Sequence, residues 1–231
     1  MAGLSGKKVV IAGDFAIKEA TPAEIARVHE LHKCSYGFIA PCAEGETSYV
    51  MPRLREFVGT TEEYVDFAVA TLPQLWQNAK HSNEVGWAHT RGEIIKKFGT
   101  WFNCLPQQSS VDLRGGVVIH GDPTRENLMR RIPSGALVFI DPLPMRTYAP
   151  GMPIFDVAKV VQSLLGWDGP PADKEVINAA VARFGFYDMK LVAMFVKIQL
   201  LRIKPYLGDD PDTNARWTRV NDYLKEWDAL L

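Results

Sequence analysis

Cysteine is scarce in this chain: Cys34, Cys42 and Cys104 are the only three in 231 residues. An odd, scattered set gives neither a disulfide scaffold nor zinc-type spacing. The five histidines do not cluster, and His29 and His32, three apart on an expected helix, read first as structural. Long apolar runs are missing too. The richest, Leu191 to Leu201, is broken by Lys197 and falls short of a membrane span. The apolar run after Lys7 and Lys8 is too short for a secretory leader, so the expected setting is cytoplasmic. Charge of one sign is absent as well. With 26 Lys and Arg against 27 Asp and Glu, the net charge of -1 offers no general attraction to nucleic acid or an anionic membrane. There is no internal repeat and no low-complexity tract. At 47% hydrophobic and 23% charged residues, what remains is a folded chain long enough for one substantial core or two small lobes.

Polar chemistry gathers in one stretch, His120-Gly121-Asp122-Pro123-Thr124-Arg125-Glu126-Asn127, set between the apolar runs Val117-Val118-Ile119 and Leu128-Met129. A second apolar run, Ala136 to Ile140, ends in Asp141. Read as strands, Val117–Ile119 and Ala136–Ile140 each deliver an acid to a strand end. Asn127 follows Asp122 by five positions, and Asp156 opens an apolar helical run through Val157, Ala158, Val160, Val161, Leu164 and Leu165. Each residue alone has a plain explanation: an Asp that forms a turn, an Asn that caps one. Those explanations do not account for the order and spacing taken together.

Upstream, Lys8 to Ala12 and Phe15 to Lys18 read as a hairpin turned at Gly13-Asp14. A helix follows from Thr21-Pro22, with Thr21 and Glu24 matching a capping box and Ile25, Val28 and Leu31 at helical spacing. Phe38 to Pro41 reads as the next strand, Glu44-Gly45 as a turn, and Thr47 to Met51 as the strand after it. Beyond these the chain is mostly helical. Thr60 and Glu63 cap one helix that Pro73 should bend or interrupt, and Thr90 and Glu93 start another. The latter carries Ile94, Phe98, Trp101, Phe102 and Leu105 as an expected buried stripe. Asp173 is the expected cap of a further helix. The last two cover about Tyr187 to Arg202 and the stretch from Asp212 or Thr213 onward, which is to bury Trp217, Val220, Leu224, Trp227 and Leu231.

The set His120-Gly121-Asp122, Asn127, Asp141 and Phe155-Asp156-Val157-Ala158 resembles the protein-kinase-like superfamily, in its aminoglycoside and choline phosphotransferase branch. Protein kinases proper begin this loop His-Arg-Asp. Gly121 in place of that Arg leans toward the small-molecule branch. The resemblance implies an α+β, two-lobed fold: residues 1–53 as a small antiparallel β lobe with one helix, and residues 54–231 as a mostly helical lobe. It implies Asp122 as the residue that orients an acceptor hydroxyl, and Asn127 and Asp141 as ligands of Mg2+ bound with ATP. Lys18 would steady the phosphates, held by Glu24, with Glu30 as the competing partner. Capping of the helix competes directly for Glu24. Val50, Met51 and Arg53 would form the hinge whose backbone holds the adenine, His120 would be a structural member of the loop, and Asp156 would accept hydrogen bonds from the loop backbone.

The chain departs from the family in three ways, one being that Asp141 is followed by Pro142 rather than Phe-Gly. Only four of about five small-lobe strands can be placed, with no clear Gly-rich loop over the phosphates. Pro123-Thr124-Arg125-Glu126 also stands where the family often has Leu-His-Pro-Gly. The implied function is a compact phosphotransferase acting on a sugar, an aminoglycoside-like compound or an amino alcohol, with no nucleic-acid or membrane partner. The alternative is a weakly active or inactive kinase-like module that binds nucleotide or protein. The short lobe also admits a second copy of the chain as a completing partner.

Overall fold

Gly13, at φ 60°, lets a two-residue turn join β1 (Val9–Ala12) to β2 (Phe15–Glu19), with Ala12 opposite Phe15 and Val9 opposite Lys18. The computed structural model describes residues 8–34, 37–38, 43–77, 87–107, 116–143, 151–186, 188–208 and 210–228. β2 pairs with β4 (Ser48–Pro52), and β4 with β3 (Ala43–Glu44), giving the antiparallel order β1-β2-β4-β3. Between β2 and β3 runs α1 (Pro22–Cys34). It buries Ile25 and Val28 against Ala16, Ala20, Tyr49 and Met51, the smaller of two apolar clusters. Only Arg53 separates β4 from β5 (Leu54–Glu56), yet β5 belongs to a second sheet. There it pairs with β6 (Leu128–Arg131), which pairs with β7 (Leu137–Phe139).

The larger cluster is built around helices α2 (Thr61–Trp76), α3 (Trp87–Phe98), α4 (Pro153–Leu164), α5 (Lys174–Arg183), α6 (Met189–Ile203) and α7 (Pro211–Asp228). α4 is its centre, buried from Ile154 through Leu164 and packed against α2, α5 and α6. Each aliphatic or aromatic side chain so buried contributes about 1.5–3 kcal/mol relative to exposure. That gain carries the cost of holding several polar side chains on the same helix. Among the described residues no helix is long and apolar enough to cross a membrane. The architecture is α+β, as expected.

Several local expectations are corrected. Val117–Ile119 is not a ladder strand: Val117 donates its N–H to Gly151 O at 3.1 Å, and Val118 and Ile119 are buried. The sheet position beside β7 goes instead to β6, which continues directly from the loop. Phe38 makes only an isolated bridge to Phe139; the paired strand is Ala43–Glu44, where a turn was expected, and residues 39–42 lie outside the described set. Pro73 does not interrupt α2. It sits in the last turn, and the full burial of Leu72 and Leu75 outweighs its missing hydrogen bond. α3 starts at Trp87, earlier than Thr90, because Trp87 is itself buried and donates from Nε1 to Pro106 O at 2.7 Å.

Trp101 is 52% exposed rather than core. α3 ends at Phe98, Gly99 takes φ 107°, and Thr100–Cys104 continues as a 3₁₀ turn, so the helical period is lost. Trp101 then lies edge-on to Phe102, which stays buried. Asp173 stands at the N-cap of α5 without a side-chain cap bond, whereas Asp188 accepts from Leu191 N at the start of α6. Tyr187 and Leu231, and the side chain of Trp227, lie outside the described residues.

Candidate active site

The loop from His120 to Asn127 is held by its backbone. His120 N and Gly121 N donate to the two oxygens of Asp156 at 3.0 and 2.7 Å. Asp122 N donates to His120 Nδ1 at 3.2 Å, and Thr124 N to Asp122 O at 2.8 Å. Arg125 N donates to Ser163 Oγ and Glu126 N to Asp168 Oδ2, both at 2.9 Å, and Asn127 N to Thr124 O at 3.1 Å. Pro123 has no N–H, but its carbonyl accepts from Tyr64 Oη at 2.6 Å. Every N–H of the stretch therefore has an acceptor. Gly121 is required where it stands: its φ is 84°, and a Cβ there would lie 3.2 Å from Leu143 Cβ.

Asp156 is fully buried and takes a third donor, Trp76 Nε1, at 3.1 Å. Burial pushes its carboxyl up to about 6 against the pull of the two amides and the indole. His120 is also fully buried, and it stacks with Phe38 at 5.6 Å between ring centroids. Burial lowers its imidazole to about 3, so it stays neutral and serves as the acceptor for Asp122 N.

Asp122 is held by both carboxylate oxygens. Oδ1 faces Lys159 Nζ at 2.8 Å, and Oδ2 accepts from Asn127 Nδ2 at 3.1 Å. Burial alone would raise its pKa, but Lys159 first, with Arg202, outweighs that and holds the carboxyl below its ordinary range. Asn127 Nδ2 donates a second bond, to Asp122 O at 2.9 Å. Both amide hydrogens are then committed, which leaves Asn127 Oδ1 as the side chain's acceptor. Ile140 N donates to Asn127 O at 2.9 Å, so Asp141 follows directly after the residue tied to Asn127.

Asp141 has φ 59°, the left-handed region that a non-glycine residue seldom occupies. Its Oδ1 is ion-paired with Lys18, whose side chain is 13% exposed. The strand lysine and the second acid thus meet directly. Tyr49, opposite Lys18 in the β2–β4 register, is buried; burial first, then Asp141 and Glu24, raise its phenol above the ordinary range and keep it protonated. Glu24 takes the capping role: its Oε2 accepts from Thr21 N at 2.7 Å and from Thr21 Oγ1 at 2.8 Å. Glu30 pairs with Arg27, which also donates to Ile119 O just before the loop. Lys18 therefore meets Asp141, where a glutamate of α1 was expected.

The hinge expectation is narrowed as well. Val50 sits in the sheet between Ile17 and Ala43, Met51 is buried in the smaller cluster, and Arg53 N donates to Asp14 O at 2.7 Å. The sheet already uses the Val50 backbone and the Arg53 amide. Arg125 spends its guanidinium on Gly59 O and over the Phe57 ring.

The donor set suits Mg2+ bound with phosphates. Asn127 Oδ1 and the Asp141 carboxylate are hard oxygens on adjoining segments, and that ion typically takes one or two protein groups with the rest from phosphate and water. Among the described residues no group of three or more His, Cys, Asp or Glu could hold a metal alone. Phosphate oxygens would have to complete the shell.

Several residues of this assembly were not singled out from the sequence. Lys159 and Ser163 fall three and seven positions after Asp156 on α4, charged or polar side chains, like Gln162, in a mostly apolar helix, and this was the signal available. Tyr64, Trp76 and Arg27 reach the loop region across 59, 80 and 92 residues, where local spacing gives no signal.

No protein-family model matches the chain, and no curated protein matches it. Solved structures do. A Plasmodium vivax ethanolamine kinase aligns over 94% of this chain and 81% of its own, at 12% identity and TM-score 0.48. A Thermobifida fusca protein assigned as a fructosamine-3-kinase aligns over 95% of each chain, at 12% identity and TM-score 0.55. At that identity the likeness speaks for the fold, and the second comparison carries it along the whole chain. This chain shares the overall two-lobed fold of that second structure over 95% of its length.

Proposed function

We propose that the protein is an ATP- and Mg2+-dependent phosphotransferase that moves the γ-phosphate to a hydroxyl of a small molecule, of the sugar, aminoglycoside-like or amino-alcohol kind. The observation that carries this reading is the joined set Asp122–Asn127–Asp141, on a loop whose every amide is tied. Phosphoryl transfer requires alignment and charge neutralisation more than covalent help from the protein. Asp122 would accept the acceptor's O–H and point its oxygen at phosphorus. A carboxyl held below its ordinary range is a weak base, which suits an orienting role in a loose transition state. Asn127 and Asp141 would hold Mg2+, which when bound neutralises phosphate charge. Lys18 would exchange its Asp141 partner, at least in part, for nucleotide phosphate.

A second reading rests on one observation, the direct Lys18–Asp141 pair beneath a four-stranded sheet. In it the module binds nucleotide with little transfer. Both readings are tested by following phosphate transfer from ATP to a panel of hydroxylated metabolites, with wild type, Asp122→Asn and Asp141→Ala. Transfer that falls about 100-fold or more in each variant supports the kinase reading. Nucleotide binding without transfer in wild type supports the second, and neither binding nor transfer sinks both.

A further inference from the structure

α4 carries a lysine that its surroundings do not invite. Lys159 lies between buried Ala158 and Val160, with its side chain only 6% exposed, and an unpaired ammonium there would cost several kcal/mol. It is paired with one group, Asp122 Oδ1, at 2.8 Å. Asp156 and Ser163 on the same helix do a different job: they accept from loop backbone amides. Lys159 reaches past the backbone to the side chain on which the proposed reaction depends.

The loop's fold does not call for that contact, since its backbone N–H groups already have acceptors. A buried ion pair is also a weak source of stability, because apolar residues of similar volume commonly serve as well or better. Charge at this point therefore calls for a reason connected with Asp122. With Oδ1 on Lys159 and Oδ2 on Asn127, the carboxylate is fixed in rotation, and the side chain keeps 25% of its surface open. A carboxylate held at two points is presented in one orientation at no further entropic cost when an acceptor arrives.

Building on the phosphotransferase reading, we propose that Lys159 is a positioning residue of the transfer site, holding the Asp122 carboxylate so that its open edge meets the acceptor hydroxyl. It acts through Asp122, and its contribution falls on the transfer step rather than on nucleotide capture.

The test is a double-mutant cycle on transfer kinetics with Lys159→Met, Asp122→Asn and the double variant, plus Lys159→Arg as rescue. Nucleotide affinity and melting temperature are measured on each. Lys159→Met should lower kcat about 100-fold while acceptor KM and nucleotide affinity stay within about threefold. Lys159→Arg, keeping the charge, should recover at least about tenfold of that loss. In the Asp122→Asn background the Lys159→Met change should cost less than about threefold more, because the partner it acts through is already gone. Effects that multiply, or a Lys159→Met enzyme that keeps wild-type turnover, overturn the assignment while the kinase reading stands. No turnover in wild type overturns the kinase reading and this role with it. If Lys159→Met alone does not fold, Lys159→Gln, neutral but still a hydrogen-bond donor toward Asp122, takes its corner of the cycle, and wild-type turnover in a folded Lys159→Gln enzyme overturns the assignment.

Discussion

From His120 to Asn127 each backbone N–H meets an acceptor, and the acceptors come from α4, the turn after it and the loop itself. The β1–β2 hairpin is held quite differently. Val10, Ile11, Phe15 and Ile17 are 43, 54, 46 and 37% exposed, and β1 is an outer strand of its sheet. Lys18, on β2, is fixed by an ion pair to Asp141, a contact that the nucleotide is proposed to take over. The contrast separates two tasks. Under the proposed function the loop would carry groups whose mutual geometry has to be set before substrate arrives, and it is over-determined. The hairpin would carry a charge that changes partners, and a lightly held element suits that.

The sharpest way to break the contrast is to remove the loop's main anchor. Asp156→Ala leaves His120 N, Gly121 N and Trp76 Nε1 without their acceptor in a buried site. It should cost about 3 kcal/mol or more, read as a lowered urea midpoint. Ile17→Thr on the hairpin's open face should stay within about 0.5 kcal/mol in the same assay. Equal losses would erase the distinction.

Acid titration sharpens it further. His120 has a folded pKa of about 3 against an ordinary 6.5, so the unfolded chain binds the extra proton between those values, and stability falls as pH drops through that window. Asp156, raised from 3.8 to about 6, works the other way: the folded chain binds the extra proton, and stability falls as pH rises from 3.8 to 6. In the overlap the two slopes oppose. His120→Asn should unmask the Asp156 slope, up to about 1.4 kcal/mol per pH unit, in urea titrations across pH 4 to 6. An unchanged pH profile would remove one of the two assignments.

The smallest expected effect concerns Glu24. Its bonds to Thr21 make it a cap, so Glu24→Gln should cost about 0.5–1 kcal/mol in stability and leave ATP affinity within about twofold. A tenfold loss of affinity would return Glu24 to the phosphate site as the partner of Lys18.

How much of this was legible depended on distance along the chain. Asp122, Asn127 and Asp141 lie within twenty residues, and a hairpin brings the last two together, so the family resemblance carried by their spacing could place them in one site. The fold class was implied by the same resemblance, with Lys18 and Asp156 added. Contacts from far away left no local trace: Tyr64, Trp76 and Arg27 looked like ordinary helix residues. Lys159 did leave one, as a charge inside an apolar run at the third position after Asp156, where a reading centred on apolar periodicity passes over it. Glu24 was ambiguous because one carboxylate fitted both a cap and a lysine partner, and the nearer bond prevailed. Trp101 was misplaced because a helical stripe was extended past Gly99, where the period changes. Of the strand expected over Phe38 to Pro41 only Phe38 lies among the described residues, where it bridges to Phe139 and is buried with its ring stacked on His120 and Phe139.

The most direct test of the central claim is calorimetric titration of ATP into wild type and Asp141→Ala, each with Mg2+ and with EDTA. Wild type should bind at least about tenfold more tightly with Mg2+ than without, and Asp141→Ala should show less than about twofold dependence on the ion. Binding that ignores Mg2+ in wild type, or a dependence that survives the loss of Asp141, would contradict the account.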